Sequence, residues 1–148
     1  MSDHLSTPTN DTCELCAKPG GELLWEDARC RIVQVDDAAF PGFCRVIWKA
    51  HVAEMTDLTP ADRAHLMQCV WTVEATLRAL LQPTKINLAS LGNLVPHLHW
   101  HVIPRFADDS HFPSPIWAAA SRAVPARAAP SSAALREALQ RALARAET

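Results

Sequence analysis

The sequence has no surplus of charge of either sign. Its 148 residues carry 14 Lys and Arg against 16 Asp and Glu, a formal charge of −2. That balance argues against a protein that binds nucleic acid by electrostatics and against a polybasic membrane anchor. No run of about 18 apolar residues is present, so no transmembrane helix is expected. The stretch from Met1 to Asn10 holds no apolar segment able to serve as a signal peptide. Cysteine is sparse and odd in number, five in all. Without a secretion signal these thiols are expected to be reduced, in a cytoplasm. There are no internal repeats, and no Gly-rich phosphate loop ending in Lys-Ser/Thr.

What is present fits one soluble domain. Hydrophobic residues make up 49% and charged residues 20%, ordinary values for a globular chain. Alanine inflates the first figure, because 13 of the 25 alanines lie from Ala118 onward. The core is therefore expected from the first 117 residues. Residues 1–12 are polar and read as a mobile terminus. Cys30, Cys44 and Cys69 sit inside apolar patterns and read as small core residues. His4, His65 and His111 have no partner pattern and read as surface residues.

Leu23–Trp25, Cys30–Val35 and Cys44–Trp48 read as three short antiparallel strands separated by turn residues. A long helix follows, with Thr59 as N-cap, Pro60 at the first helical position and Asp62 at the third. Leu66, Val70, Val73, Leu77 and Leu80 repeat at helical spacing as one apolar stripe, and Pro83 ends the helix. Lys85–Leu91 and His97–Ile103 read as two more strands. Strands, one long helix, then strands again indicate an α+β fold. Beyond Ala118 an Ala/Arg-rich tail is expected to end in a helix. Ser131 would cap it, and Leu135, Leu139 and Leu143 would share one side. From residue 121 on, five arginines face two glutamates, so this extension (118–148) reads as a solvated or dimer-packing helix.

The most informative segment is Pro96-His97-Leu98-His99-Trp100-His101-Val102-Ile103. Side chains alternate along a strand, so His97, His99 and His101 are expected on one face and Leu98, Trp100 and Val102 on the other. Two chemistries compete for three such imidazoles. A single zinc is bound at about 2.0–2.1 Å, yet the outer two Cα atoms of a straight strand stand roughly 13 Å apart, so at most adjacent pairs could share one. Alternatively, a neutral imidazole can attack phosphorus or carbonyl carbon as a nucleophile while its neighbour handles a proton.

His97-Leu98-His99-Trp100-His101-Val102-Ile103 resembles the His-φ-His-φ-His-φ-φ signature of the histidine triad (HIT) superfamily of nucleotide hydrolases and transferases. Val46-Ile47-Trp48-Lys49-Ala50-His51 resembles that family's segment ending in Lys-x-His, with Trp48 where Pro is usual. Gly92-Asn93 resembles its Gly-Gln step. The likeness covers roughly residues 13–117, the expected catalytic domain, and implies a HIT-like antiparallel sheet.

The resemblance implies that His99 is the nucleophile toward the α-phosphorus of a nucleotide. His101 would bond a phosphate oxygen and assist the leaving group, and His97 would orient the site from behind. Asn93 stands for the phosphate-contacting Gln, with Gly92 and the following amides beside it. Leu94 replaces a usual Ser or Thr hydroxyl. Asn87 lies near another polar phosphate contact, and Asp36 or Asp37 near the ribose-contacting position. The substrate would be a purine nucleotide, either a dinucleoside polyphosphate or a nucleoside phosphoramidate. Cleavage would pass through a nucleotidyl-histidine, with no magnesium required. The alternative is a non-catalytic nucleotide-binding or regulatory protein, as the loss of the hydroxyl at Leu94 would suit. A zinc-dependent hydrolase is a third reading. The family likeness also implies a homodimer, and Trp117 would reach the substrate or a neighbouring subunit.

Cys13-Glu14-Leu15-Cys16 has the spacing of two thiolates on one tetrahedral zinc. Some histidine triad relatives carry such a pair and complete the site with the first triad histidine and one upstream. Here that gives Cys13, Cys16, His51 and His97 as a structural zinc site. Unmetallated thiols or a redox pair remain the other readings of the two cysteines.

Overall fold

The structure is a computed structural model, and it describes residues 10–146. The polar terminus up to residue 9, with His4, lies outside the described residues. Five antiparallel strands form one sheet in the order β1-β2-β3-β5-β4: β1 (Glu22–Glu26), β2 (Cys30–Gln34), β3 (Cys44–Trp48), β4 (Lys85–Ala89) and β5 (His99–Arg105). This is the α+β architecture expected. The first three strands form the predicted meander. The last inserts between β3 and β4, which places the histidine strand inside the sheet, where its backbone is paired on both sides.

Several strand boundaries differ from expectation by one or two residues, and two of these shifts lie beside the histidine run. β4 ends at Ala89 rather than at residue 91, and β5 starts at His99 rather than at His97. His97 therefore precedes the strand. Its N–H donates to the Val95 carbonyl at 2.8 Å, a turn bond. Gly92, with φ +74°, opens this turn in the left-handed region that glycine adopts without steric cost. Gly42 has φ +90°, and a Cβ there would stand 2.6 Å from Leu81 Cδ1, so a side chain would also clash.

The long helix α2 (Pro60–Leu81), which follows the short helix α1 (Glu14–Ala17) in the chain, starts as its sequence dictates. The Asp62 N–H donates to Thr59 Oγ1 at 3.2 Å, and Pro60 occupies the first turn, where its missing N–H costs nothing. Gln82 closes it in the left-handed conformation, with Pro83 next. Leu66, Val70, Val73 and Leu77 enter the core with Cys69, but Leu80 is 44% exposed and leaves the expected stripe. No helix among the described residues is long and apolar enough to cross a membrane.

The core is not confined to the first 117 residues. Helix α3 (Ser132–Ala146) has the predicted cap, with the Ala134 N–H donating to Ser131 Oγ at 3.1 Å. Its Leu135, Leu139 and Leu143 are buried in the main cluster with α2 and the sheet. The tail helix is thus packed in its own chain rather than solvated or reserved for a partner. Leu139→Ala is expected to destabilise the fold by about 2–5 kcal/mol, as a buried leucine does, in a urea unfolding curve. A change below about 0.5 kcal/mol would mean that the helix is peripheral.

Both long helices cover one sheet face, taking Cys30, Ile32, Val46, Trp48 and Val102. The other face carries His99 and His101. At one end it is covered by a cluster of Cys13, Leu15, Val33 and Ile47, which brings in α1. At the other end lies a cluster of Phe40, Phe43 and Ile103 with Ile116.

Candidate functional site

Strand alternation holds for β5. His99 and His101 face away from the helices, while Leu98 and Val102 are buried against them and Trp100 packs at the cluster's edge. The two imidazoles lie edge to face, with centroids 4.9 Å apart. Pairing across β3 sets Ile47 opposite His99 and Arg45 opposite His101. The Phe43 and Trp117 rings stand 5.6 Å and 5.1 Å from the His101 ring.

Ring tautomers follow from the partners. His99 Nδ1 lies 2.5 Å from the His97 carbonyl, which can only accept, so Nδ1 carries the proton. Nε2 of His99 then holds the free lone pair. The Ser90 hydroxyl donates to the His99 carbonyl at 2.7 Å and ties the end of β4 to this residue. Burial pushes the His99 pKa below the usual imidazole range, with the Arg45 charge adding to it against the bond to His97. For His101, burial, then His99 and Arg45, lower it to about 4. Both rings are therefore neutral near pH 7, the form in which a ring nitrogen is nucleophilic. His101 Nδ1 is buried without a hydrogen-bond partner among the described residues.

His97 faces a different group. Its Nε2 donates to the Trp48 carbonyl at 2.5 Å, so Nδ1 carries a bare lone pair. That Nδ1 meets Cys13 Sγ at 3.4 Å, Cys16 Sγ at 3.5 Å and His51 Nδ1 at 3.2 Å, and Cys16 Sγ meets His51 Nδ1 at 3.4 Å. All four donor atoms lie within 4.8 Å of one another. A tetrahedral zinc with ordinary bond lengths would separate two nitrogens by about 3.3 Å and a nitrogen from a sulfur by about 3.6 Å. The observed contacts match those edges, so Cys13, Cys16, His51 and His97 fit a metal ion. The single turn of α1 between the cysteines is what turns both sulfurs to the same side, a feature the sequence pattern does not reveal.

The other expected site residues are more scattered. Gly92 shares a cavity of about 310 Å³ with His97 and His99, between the residue 90–92 turn and the 53–56 segment. Asn93 and Leu94 lie on that turn, Leu94 with 97% exposure. Asn87 Oδ1 accepts from Arg105 Nη1 at 2.8 Å, a bond that sets the orientation of the amide and leaves its NH2 as the group able to donate. Asp36 lines a separate cavity of about 560 Å³ with Gln34, Arg127 and Pro130, away from the histidines. Asp37 caps its own turn by accepting from the Ala39 N–H at 3.0 Å.

Two features have no counterpart in the sequence patterns. Arg45 is one; only the pairing of β3 with β5 places it beside His101. Its Nη1 donates to the Gly20 carbonyl at 2.9 Å, while Nε is buried without a partner among the described residues. The second is the buried pair of Arg105 and Asp109, joined by Nε–Oδ2 at 2.8 Å and Nη2–Oδ1 at 3.0 Å. Asp109 also accepts from the N–H groups of Phe106, His111 and Phe112, and Arg105 Nη2 donates to the Ser114 carbonyl at 2.8 Å. This node anchors the segment that delivers Trp117 to His101.

Burial opposes the Asp109 charge, but Arg105 and the three amides hold its carboxyl well below the usual carboxylate range. A folded-state pKa below the unfolded value of about 3.9 contributes stability that is intact above that value and lost as pH falls. Asp109→Asn should cost about 3–5 kcal/mol near neutrality by leaving Arg105 buried and unpaired. In unfolding curves the gap to the native protein should narrow as pH is lowered through about 4 toward 2. A gap that stays constant with pH would contradict this assignment.

Comparison with known proteins agrees with the geometry. A family model described as the HIT domain matches residues 20–108. An AP-4-A phosphorylase of Mycobacterium tuberculosis is 31% identical over 78 residues, covering 49% of this chain and 40% of that protein. An asymmetrical bis(5'-nucleosyl)-tetraphosphatase of Schizosaccharomyces pombe is 31% identical over 70 residues, covering 44% and 38%. The chain thus spans less than half the length of these curated relatives. The crystal structure of a histidine triad protein from Bradyrhizobium japonicum superposes with a TM-score of 0.69 at 28% identity, over 84% of this chain and 92% of that one. A Zn-bound histidine triad family protein from Mycobacterium smegmatis shares the fold, with a TM-score of 0.60 at 22% identity over 92% and 96%. With the matched domain spanning the sheet and the whole histidine strand, the chain belongs to the HIT domain family.

Proposed function

We propose that the protein is a nucleotide hydrolase that cleaves at the α-phosphate through a covalent intermediate on His99. The observation that carries this reading is the His99 Nδ1–H bond to the His97 carbonyl, which leaves Nε2 with its lone pair on the sheet face away from the helices. In the first step Nε2 forms a bond to the α-phosphorus while the bond to the leaving oxygen breaks. That oxygen departs as an anion, hydrogen-bonded by His101, and takes any proton it needs from solvent. In the second step water attacks phosphorus, the P–N bond breaks, and a nucleoside monophosphate leaves with the proton balance returned to solvent. Negative charge on the phosphoryl oxygens is met by His101, by Asn93 and by the amides of the Gly92–Val95 turn. These donors do the charge work without magnesium.

A dinucleoside polyphosphate is the favoured substrate, because the curated relatives are named for that class; a nucleoside phosphoramidate is the alternative within the same mechanism. Steady-state release of nucleoside monophosphate from each class tests the reading, with phosphate added in one arm to separate phosphorolysis from hydrolysis. The exposure of Leu94 in place of a hydroxyl favours a second reading, a nucleotide-binding regulator without turnover. Release no faster than buffer with both substrates, at retained binding, would select it.

The metal proposed for Cys13, Cys16, His51 and His97 is zinc. Four protein donors complete its tetrahedron, so its role is to fasten the N-terminal segment and the residue 49–51 turn behind the His97 carbonyl that orients His99. A homodimer is the proposed assembly, with the exposed Trp71 and Leu80 of α2 offering apolar surface. A sedimentation mass of one chain would remove it.

A further inference from the structure

On the helix-covered side of the sheet, away from His99, lies a second set of soft donors. Cys30 begins β2, and His65 and Cys69 stand one turn apart on α2, so both point from the same helix face. One donor atom from each lies within 4.8 Å of the others. Cys30 and Cys69 are 0% and 1% exposed, while the His65 ring reaches the surface. Two packed thiols alone would need no explanation, being small apolar side chains. The imidazole that joins them, and the carboxylate behind it, are what packing does not require.

His65 Nε2 lies 2.7 Å from Asp27 Oδ2. Asp27 is itself fixed, since its Oδ1 accepts from the N–H groups of Arg29 at 2.8 Å and Cys30 at 2.7 Å. Metal-ligating histidines commonly donate their second ring N–H to a carboxylate held in this way. A metal taken by Nδ1 would leave the Nε2–H bond to Asp27 intact.

We propose that Cys30, His65 and Cys69 form a second zinc site, with Asp27 as the carboxylate that orients the histidine. Three protein donors leave one tetrahedral position for a fourth group. Loading would release the two thiol protons to solvent and clamp the start of α2 to β2.

The test is a metal count on the full chain, stripped and reduced, then titrated with Zn²⁺ and weighed by native mass spectrometry. A parallel titration with Co²⁺ reads thiolate-to-metal absorption. Two ions are expected in the native protein. H65Q, at a partly exposed position, and C69A, which removes the sulfur without adding a polar group, should each retain one. The double variant C13S/C16S should also retain one, which H65Q then abolishes. Near-UV circular dichroism checks that each variant is folded. A single ion lost in H65Q would support this site and count against the Cys13 site. A single ion unaffected by H65Q and C69A, or two ions unchanged by both, would overturn the proposal.

Discussion

Replacing His99 with alanine is expected to lower turnover by at least about 10⁴-fold while leaving nucleotide binding close to that of the native protein. The expectation rests on what the ring does rather than on where it packs. His99 is held at Nδ1 by the His97 carbonyl and flanked by a His101 ring that is neutral near pH 7. Of its neighbours on that side of the sheet, Arg45 is a cation and His97 turns its lone pair toward the cysteines; His101 is a second neutral imidazole, but no carbonyl fixes its tautomer as His97 fixes that of His99. His101→Ala should be less severe, since it removes a hydrogen-bond donor to the phosphoryl and leaving oxygens but leaves the nucleophile, a loss of about 10²–10³-fold. Comparable rates for H99A and the native protein, with both bound to nucleotide, would end the covalent reading.

Removing the zinc proposed for the Cys13 site is expected to give the second large effect. Chelation with a strong zinc ligand, or Cys16→Ser, should lower the melting temperature by roughly 10 °C or more, because ligand binding at such a site is part of the folding free energy. Activity should fall in step with the folded fraction. The physical reason is local: the four donors tie residues 13–16, His51 and His97 together, and His97 precedes the strand that carries His99. Loss of turnover at an unchanged melting temperature would instead indicate a metal that acts on substrate.

Much of the fold is legible in the amino-acid sequence itself. Thr59, Pro60 and Asp62 announce the start of α2, and Ser131 the start of α3, because caps are local hydrogen-bond chemistry. The alternating His-Leu-His-Trp-His run declares which rings face away from the core, since strand period is local too. The length of that strand is not legible. His97 falls outside β5 because its backbone turns to bond Val95, a matter of the loop and of the cysteines that meet its ring. Leu80 leaves the core because Leu81, four residues after Leu77, packs against the cluster in its place, a choice between i+3 and i+4 that spacing alone does not reveal.

The packing of α3 illustrates the same limit. Leu135, Leu139 and Leu143 make one apolar stripe whether the partner is the same chain or another, and only the tertiary fold shows α2 and β1 beneath them. Arg45, the Arg105–Asp109 pair and the His65–Asp27 contact are likewise pairings across the chain, invisible to any periodicity. Of the residues expected to touch substrate, Gly92 shares a cavity with the histidines. Asp36 lines a different one, and the Asn87 oxygen accepts from Arg105.

The most direct measurement is a rapid base-quenched reaction with a dinucleoside polyphosphate, followed by peptide mass spectrometry at a pH that preserves phosphoramidates. The account predicts one nucleotidyl group on the peptide that contains His99, placed on that ring by fragmentation and missing in H99A. An adduct on another side chain, or one that persists in H99A, would contradict it.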